Sequence, residues 1–338
     1  MRLAAVAVLP LMLVTVAAGG CGRDAASEPR QAVLVYAEAA AFSGFAKTIS
    51  VARANGGQAV PLVQGDSPQI SPDGQYVAFA RSGDAPRFSD VLVIPTRGGK
   101  PKTVEHLVGD HVWNNNPGKW APDSRHLVCI ESAGLVLLDT QTGSRKVLVR
   151  QPEPAGIESL SISPDSRSIA YAVTDTTGAD IYVISIHGGR SRKITADHNS
   201  FDPLWGPHGV AFNRGGFVHG DIFITDRTGR HPRQLTHTHA GIYPAFWSAD
   251  GRRMLAADPA MHNGRLWAVN ATTGSARDLT GWRGDLFPQG LSRDGTTVLA
   301  AVGCGGTASA FGFVETIPFT GGKPRVIVRG PCRGSWNL

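Results

Sequence analysis

The 338-residue sequence lacks the short motifs by which many enzyme families are recognised. It has no G-x-S-x-G nucleophile elbow, no G-x-x-x-x-G-K-[ST] phosphate loop and no H-E-x-x-H zinc motif. These absences argue against an α/β-hydrolase site, a P-loop nucleotide site and a helical zinc-protease site within these residues.

The sequence also has few charged and few aromatic residues. Charged residues make up 18% and aromatic residues 7%, and no block of five like charges occurs despite a net charge of +6. Scattered cations without interleaved aromatics argue against nucleic-acid binding. We interpret the basic balance as a solvated surface, with attraction to anionic lipid headgroups or wall polymers as a secondary possibility.

Glycine and proline, by contrast, are abundant. The chain has 41 Gly and 22 Pro, and 42% of its residues are apolar. Frequent turns in a chain with enough apolar side chains for a packed core favour many short strands over long helices.

The first 21 residues, "MRLAAVAVLPLMLVTVAAGGC", are typical of an export signal. One Arg precedes a short apolar run, and small residues precede Cys21. "AGGC" resembles the bacterial lipobox, which implies lipidation of Cys21 in an exported lipoprotein; a secreted protein is the alternative. We therefore predict a signal peptide at 1–20, a polar tether at 21–31 and one globular domain at 32–338.

Three other cysteines remain. Cys129 lies in the strand-like run "HLVCIE" and is predicted to be a buried, inert thiol. Cys304 and Cys332 lie in Gly/Pro-rich loops of an exported chain, so we predict that they form a disulfide.

A short corner recurs through the chain. "ISPDGQYVAFA", "APDSRHLVCI", "SPDSRSIAYAV" and "SADGRRMLAA" are four of six copies, and their spacing is 42 to 50 residues. A large apolar residue precedes each corner and a β-rich run follows it. Pro, Asp and Gly favour a tight turn at such positions.

Seven Gly-Gly or Thr-Gly hairpins alternate with these corners, as in "IYVISIHGGRSRKIT". Each unit thus contains four short antiparallel strands, a to d, in about 40–45 residues, which is typical of a β-propeller blade. The sequence predicts an all-β fold.

Six corners and seven hairpins leave the first unit without a strand a. Residues 32–37 read as its strand b, and residues 335–338, with Trp336, read as a strand that completes it. We therefore predict seven blades, with the N- and C-terminal strands paired. Six blades with an irregular N-terminal hairpin is the alternative.

The corner "ISPDG" followed by "VAFA" resembles the WD40-like (PD40) repeats of TolB-type propellers over nearly all of residues 32–338. This resemblance implies the propeller fold. The extra N-terminal α/β domain of that family has no counterpart in this sequence, so its partner proteins are not carried over.

Strand order predicts two different faces. The a–b corners and c–d hairpins form one face, called here the turn face, which collects Arg and Lys residues such as Arg145, Lys146 and Arg192. The b–c and d–a loops form the opposite loop face, where we predict ligand binding. The candidate residues there are His111, His198, Asp202, His237, His239 and His262.

Three d–a loops suggest a metal site as an alternative. "GDHVWNNNPGKW", "ADHNSFDPLW" and "THTHAGIYPAFW" each place His before a Pro and a Trp. Three imidazoles around one axis, from His111, His198 and either His237 or His239, would suit Zn²⁺ or Mn²⁺. The last loop is similar to propeller enzymes of the oligogalacturonate lyase type, and this resemblance implies a metal held by His in such a place. The other interpretation is that these His residues only hydrogen-bond loop backbones.

Two functions fit these observations. The first, which we favour, is a non-catalytic, envelope-anchored propeller, monomeric and without a cofactor. It binds a protein, peptide or glycan through its loop face or channel mouth. The second is a metal-dependent lyase or hydrolase of an acidic saccharide, with Arg214 or Arg265 near substrate carboxylates. In either case we expect the outer face of the cell membrane or the periplasm, with attachment to the membrane through the lipid anchor.

Overall fold

A computed structural model of the chain describes residues 33–39, 47–53, 60–82, 88–108, 117–150, 155–226, 228–258, 264–281, 286–292, 294–302 and 312–330. Within these ranges lie 27 strands and one short helix. The strands form seven antiparallel sheets, each built from strands that follow one another in the sequence. This succession of up-and-down sheets confirms the predicted all-β propeller.

The first sheet has three strands, in the order β1 (Val33–Ala39), β2 (Lys47–Arg53) and β3 (Val60–Gln64). The other six sheets have four strands each and are numbered here as blades one to six. Blade one comprises β4 (Asp66–Ile70), β5 (Tyr76–Ser82), β6 (Phe88–Pro95) and β7 (Lys102–Val108). Blade two comprises β8 (Lys119–Trp120), β9 (His126–Glu131), β10 (Gly134–Asp139) and β11 (Arg145–Arg150). Blade three comprises β12 (Gly156–Ile162), β13 (Ser168–Asp175), β14 (Gly178–Ser185) and β15 (Arg192–Lys193).

Blades four to six follow the same plan. They comprise β16 (Ser200–Gly206), β17 (Gly209–Arg214), β18 (Asp221–Ile224) and β19 (Arg233–Gln234); β20 (Tyr243–Trp247), β21 (Arg253–Ala257), β22 (Leu266–Asn270) and β23 (Ala276–Asp278); and β24 (Leu286–Leu291), β25 (Thr297–Val302), β26 (Gly312–Pro318) and β27 (Arg325–Gly330). Helix α1 (Gly216–His219) connects β17 to β18.

The number of blades differs from the main prediction. Among the described residues, six sheets have four strands and the N-terminal sheet has three, so the prediction of seven complete blades is wrong and its six-blade alternative is confirmed. Among the described residues no fourth strand pairs with β1, and β1 itself contacts β4 of blade one. The expected closing strand, residues 335–338, lies outside the described residues.

Hydrogen bonds explain why the corner recurs. In blade one, Ser71 Oγ donates to Asp73 Oδ1 at 2.6 Å and accepts from the Tyr76 N–H at 3.0 Å. This corner therefore satisfies part of its own backbone within five residues. The same Ser–Asp bond occurs at Ser163–Asp165, Ser248–Asp250 and Ser292–Asp294.

Apolar side chains fill the space between successive sheets. In β5, Val77 and Phe79 pack toward the N-terminal sheet, whereas Ala78 between them packs toward blade two. The alternation follows from the period of two along a strand. Similar clusters lie between blades two and three, three and four, four and five, and five and six. Each blade thus needs its neighbours to bury both faces.

The two predicted faces are confirmed by backbone contacts. On the turn face, hairpin residue Thr140 donates its N–H to the carbonyl oxygen of corner residue Arg125 at 3.1 Å. On the loop face, Ala179 of a b–c turn donates to the carbonyl oxygen of His198 in a d–a loop at 3.2 Å. Corners therefore lie with c–d hairpins, and b–c turns lie with d–a loops.

Several turn-face cations connect neighbouring blades. Lys102 Nζ donates to the carbonyl oxygens of Thr140 and Gln141 at 2.9 and 2.7 Å, and Lys146 Nζ donates to that of His187 at 2.7 Å. Some of the positively charged side chains thus hydrogen-bond to the hairpin of the neighbouring blade. This role agrees with the interpretation of the basic residues as part of an ordinary protein surface.

The cysteine and membrane predictions are tested only in part. Cys129 is buried, as predicted, and its Sγ lies 3.2 Å from the carbonyl oxygen of Pro117. Burial raises the pKa of its thiol well above the usual value, which disfavours the reactive thiolate. Within the described ranges, no helix is long and apolar enough to span a bilayer. Cys21, Cys304 and Cys332 lie outside those ranges.

Candidate functional site at the mouth of the central channel

The first strands of the blades lie nearest the propeller axis. β12 contacts β16, β16 contacts β20, and β20 contacts β24, although these strands belong to different sheets. Such contacts arise where blades converge on the axis. Side chains of these first strands that do not pack into the cores between blades therefore face the central channel.

The first strands of blades one and three to six contain a backbone irregularity that redirects side chains. The pairing register shifts between Phe201 and Leu204 in β16, and comparable shifts occur in β4, β12, β20 and β24. A bulge of this kind is common next to functional sites because it re-aims a side chain.

Asp202 occupies the bulge of β16 in the left-handed region, with φ of 48°. This conformation costs a residue other than Gly about 1 kcal/mol or more, although Asp tolerates it better than most residues. The following residue, Pro203, disfavours helical backbone before it, so the sequence itself opposes this geometry. A strained acidic residue at the channel mouth is a functional candidate.

Four polar side chains on the first strands of blades two to five form what we call the lumen cluster. Its members are Lys119 on β8, Glu158 on β12, Asp202 on β16 and Tyr243 on β20. Asp202 and Tyr243 lie near the starts of their strands, where the chain enters from the loop face. Lys119 Nζ donates to the carbonyl oxygen of Leu160 on β12 at 2.8 Å, which connects blades two and three.

The protein surroundings shift the pKa of three cluster members. Burial lowers the pKa of the Lys119 ammonium, which the charge of Asp202 opposes. Burial raises the pKa of the Asp202 carboxyl; Lys119 opposes this rise and Glu158 adds to it. Lys119 is nevertheless exposed to solvent, as expected for a side chain surrounded by the walls of an open channel.

Tyr243 closes the cluster on the side of blade five. Its ring packs against the apolar core between blades five and six. Burial raises the pKa of its hydroxyl to about 12, and the charges of Asp202 and Asp258 contribute to this rise. The hydroxyl therefore stays protonated at neutral pH and remains a hydrogen-bond donor.

The lumen cluster retains unused hydrogen-bonding capacity. Among the described residues, none forms a hydrogen bond or ion pair with the carboxylate of Asp202, the carboxylate of Glu158 or the hydroxyl of Tyr243. Glu158 is exposed, and Asp202 and Tyr243 are half-buried, so these groups are accessible from the channel. A ligand that enters the channel therefore meets open acceptors and donors.

Two predicted histidines, His198 and His239, lie on the loop face as expected, but each is paired with a carboxylate. His198 Nδ1 is 3.1 Å from Asp180 Oδ2, and His239 Nδ1 is 3.3 Å from Asp221 Oδ2. The His side chains are 50% and 73% exposed, whereas the Asp side chains are 4% and 3% exposed. These pairs anchor d–a loops to strand c.

The buried Asp of each pair organises the whole loop. Asp221 accepts hydrogen bonds from Thr236 Oγ1 at 2.8 Å, from the Thr238 N–H at 2.7 Å and from the His239 N–H at 3.2 Å. Asp180 accepts the equivalent bonds in blade three. A sequence signal for this arrangement was present: a strand-c Asp followed by "KITADH" in one blade and by "QLTHTH" in the next.

The remaining predicted histidines do not join the cluster. His237 is exposed on the loop face next to His239, whereas His111 and His262 lie outside the described residues. Among the residues that the structure describes, no three His, Cys, Asp or Glu side chains form a group that could hold a metal ion. His198, His237 and His239 thus form no metal group with one another or with other described residues, and His111, the third ligand of the alternative hypothesis, lies outside those residues.

The two arginines of that hypothesis are held by acidic neighbours. Arg214 Nη2 lies 2.5 Å from Asp197 Oδ2, and its guanidinium stacks 4.5 Å from the ring of Phe223. Arg265 Nη2 lies 2.8 Å from Asp258 Oδ2. Both guanidinium groups thus serve local ion pairs.

An apolar rim lies beside the lumen cluster on the loop face. Phe201, which precedes Asp202, contacts the ring of Phe217 in helix α1 with centroids 5.6 Å apart. Phe217 and Val218 are 49% and 71% exposed, unusual values for large apolar residues. We use the term apolar rim for Phe201, Phe217 and Val218.

Comparison with known proteins supports the fold and leaves the family open. No family model matches the chain. Dipeptidyl-peptidase 5 of Porphyromonas gingivalis is 28% identical over 146 residues, and the match covers 37% of this chain and 21% of the peptidase. The chain therefore matches only about a fifth of the length of that relative.

Solved structures with the same architecture come from several classes. An oligogalacturonate lyase in complex with manganese matches 98% of this chain and 87% of its own, with a TM-score of 0.62 and 14% identity. TolB from Acinetobacter baumannii matches 86% of this chain and 77% of its own, with a TM-score of 0.53 and 18% identity. At such identities the likeness extends to the β-propeller fold alone.

Proposed function

We propose that this protein is a non-catalytic β-propeller that binds a protein, a peptide or a glycan at the mouth of its central channel. The lumen cluster is the observation that carries the proposal. Three of its four members, Glu158, Asp202 and Tyr243, have side-chain groups without partners among the described residues. The exposed apolar rim beside them adds contact area on the same face.

The surrounding polar residues support the same location. The loop-face histidines His198 and His239, and the arginines Arg214 and Arg265, are held by buried or partly buried carboxylates. These ion pairs stiffen the loops around the channel mouth, as a binding site on a rigid scaffold requires. From the sequence, His111, His237 and His262 are proposed as further ligand-binding residues.

The proposal includes export and attachment to a membrane. The N-terminal run before Cys21 has the order of charge, apolar core and small residues that export signals share. Lipidation of Cys21 would hold the propeller at the outer face of the cell membrane or in the periplasm. Metabolic labelling with an alkyne fatty acid tests this part, with a Cys21→Ser variant as control.

Site-specific photo-cross-linking in cells tests the site. A photoreactive residue in place of Val218, on the loop face, is expected to capture the ligand, and one in place of Lys323, on the turn face, is not. The capture at position 218 is expected to fall in an Asp202→Asn variant of equal abundance. Equal capture at both positions, or capture unaffected by Asp202→Asn, contradicts a channel-mouth site.

The second candidate function is a metal-dependent lyase or hydrolase of an acidic saccharide. The shared fold with a manganese-bound oligogalacturonate lyase motivates it. Metal analysis of protein purified without chelator separates the two functions. One equivalent of Zn or Mn per chain, lost on His198→Ala, favours the enzyme.

A further inference from the structure

We infer that the lumen cluster recognises an ammonium group attached to an apolar moiety, with Asp202 and Glu158 as its acceptors. This inference rests on the proposed function and names the chemical class of the ligand. It follows from the charges, the open hydrogen-bond acceptors and the neighbouring apolar rim.

The cluster has one more negative than positive charge. Asp202 and Glu158 each contribute a carboxylate, and Lys119 contributes one ammonium, part of whose donor capacity is used by the carbonyl oxygen of Leu160. The nearby Asp197–Arg214 pair is balanced internally, and Arg265 is shared between Asp258 and Asp278, so neither group adds positive charge. An incoming cation therefore neutralises charge that the protein leaves uncompensated.

Hydrogen-bonding capacity points in the same direction. The carboxylates of Asp202 and Glu158 accept nothing from the described residues, and neither does the hydroxyl oxygen of Tyr243. An ammonium offers three donors and no acceptor. Three oxygens around one ammonium would satisfy both partners with charge-assisted bonds.

A metal ion is a poorer match to this cluster. Zinc sites in proteins have three or four His, Cys, Asp or Glu ligands, and the described residues contain no such group. Two carboxylates with a lysine and a tyrosine fit an organic cation better.

The apolar rim indicates what the ammonium is attached to. Phe201 is adjacent to Asp202 in the chain, and it contacts Phe217, which is followed by the exposed Val218. A ligand with its ammonium at Asp202 places the next few carbon atoms near these side chains. Burial of an alkyl group against them adds to binding.

Small probes test the inference by calorimetric titration of the full chain. The probe L-leucinamide carries an ammonium beside an apolar side chain, N-acetyl-L-leucinamide lacks the charge, and glycinamide lacks the side chain. We expect L-leucinamide to bind at least about tenfold more tightly than either analogue. Glucosamine tests whether an amino sugar provides the ammonium instead; tighter binding of glucosamine supports an amino sugar and argues against the apolar moiety.

Substitutions identify the acceptors. Asn tolerates the left-handed backbone as Asp does, so Asp202→Asn removes the charge without new strain. We expect this substitution to weaken the binding of L-leucinamide at least about tenfold. Asp90→Asn removes an equal charge from β6, outside the first strands, and is expected to change nothing. Lys119→Met removes a positive charge that repels the ammonium of the probe, and it is expected to tighten binding of L-leucinamide by about threefold. A structural role for Lys119 predicts weaker binding instead.

Several outcomes overturn the inference. The first is equal binding of L-leucinamide and its acetylated form, and the second is no binding of any amine probe. The third is unchanged binding of L-leucinamide to an Asp202→Asn variant that melts at the same temperature as the parent protein. If cross-linking at position 218 still depends on Asp202 in those cases, the channel-mouth site stands and only the ammonium preference fails.

Discussion

Lys119 reaches from the first strand of blade two to the carbonyl oxygen of Leu160 in blade three, with an Nζ–O distance of 2.8 Å. The bond holds the ammonium between two blades and close enough to Asp202 for each charge to alter the pKa of the other. Electrostatic coupling within the lumen cluster is therefore measurable in the absence of any ligand.

Opposite shifts are expected when the two neighbours of Asp202 lose their charges. Lys119→Met removes a cation that lowers the pKa of Asp202, so this pKa is expected to rise. Glu158→Gln removes a carboxylate that raises it, so the pKa is expected to fall. Carboxyl ¹³C titration of aspartate-labelled protein measures both shifts, and shifts of the same sign in the two variants refute the arrangement.

The buried Asp221 is expected to be essential for the loop that it organises. Asp221→Ala leaves the Thr236 hydroxyl and the N–H groups of Thr238 and His239 without their acceptor, and the expected loss of unfolding free energy is about 2–4 kcal/mol. His239→Ala removes a largely exposed partner and is expected to cost at most about 1 kcal/mol. Urea unfolding of both variants provides the comparison, and equal losses contradict it.

Gly178 is expected to tolerate no side chain. It has φ of +131°, and a Cβ would lie 1.9 Å from the carbonyl oxygen of His198. Gly189 has a similar φ of +110° with nothing within 4 Å of a Cβ. Gly178→Ala should therefore lower the unfolding free energy at least about 2 kcal/mol more than Gly189→Ala. Thermal melts of the two variants that coincide would disprove the close contact.

Acid stability is expected to depend on the corner aspartates. Hydrogen bonds from Ser292 and from the backbone N–H of Thr296 lower the pKa of Asp294 to about 2, below the value of about 3.9 for an unfolded chain. A lowered carboxyl pKa contributes stability above about pH 4 that is lost as the pH falls toward 2.

Ser292→Ala tests this contribution because it removes the largest cause of the shift. Its melting temperature is expected to lie below that of the parent protein at pH 6, and the difference is expected to shrink between pH 4 and pH 2. A difference that is constant over this range means that the serine acts independently of the charge on Asp294.

The repeats were predictable because their chemistry is local. In the Ser71 corner the hydrogen bonds of the serine hydroxyl join residues at most five positions apart, so the adjacent sequence contains the turn itself. The bond from the Asp73 N–H to Ser124 Oγ of the next blade is an addition that the sequence does not show. The alternation of Val77, Ala78 and Phe79 likewise follows from the period of a strand. The buried Cys129 and the two faces of the propeller were predictable for the same reason.

The blade count was harder because it depends on pairing between distant segments. Seven hairpins suggested seven blades. A hairpin supplies only strands c and d of a blade, and it does not determine whether a strand a is present to pair with strand b. β1 lies next to β4 of the following blade, and this contact joins residues some 30 positions apart in the sequence.

The candidate site was predicted only in part. Asp202 was identified from its loop, and the structure places it at the channel mouth, whereas Lys119, Glu158 and Tyr243 were missed. Simple alternation along a strand does not reveal a bulge, and in β16 the bulge changes the direction in which Asp202 points. His198, His237 and His239 were identified correctly as loop-face residues. The pairing of His198 with Asp180 and of His239 with Asp221 requires contacts across a blade.

The amino-acid sequence by itself determined the corners, the strand pattern, the all-β fold and the two chemically different faces. Each of these depends on interactions between residues close in the chain. The tertiary structure alone decided which side chains meet at the axis, because Lys119, Glu158, Asp202 and Tyr243 come from four blades. Their coupling arises from low-dielectric surroundings and short distances, which exist only after the blades have packed around a common channel.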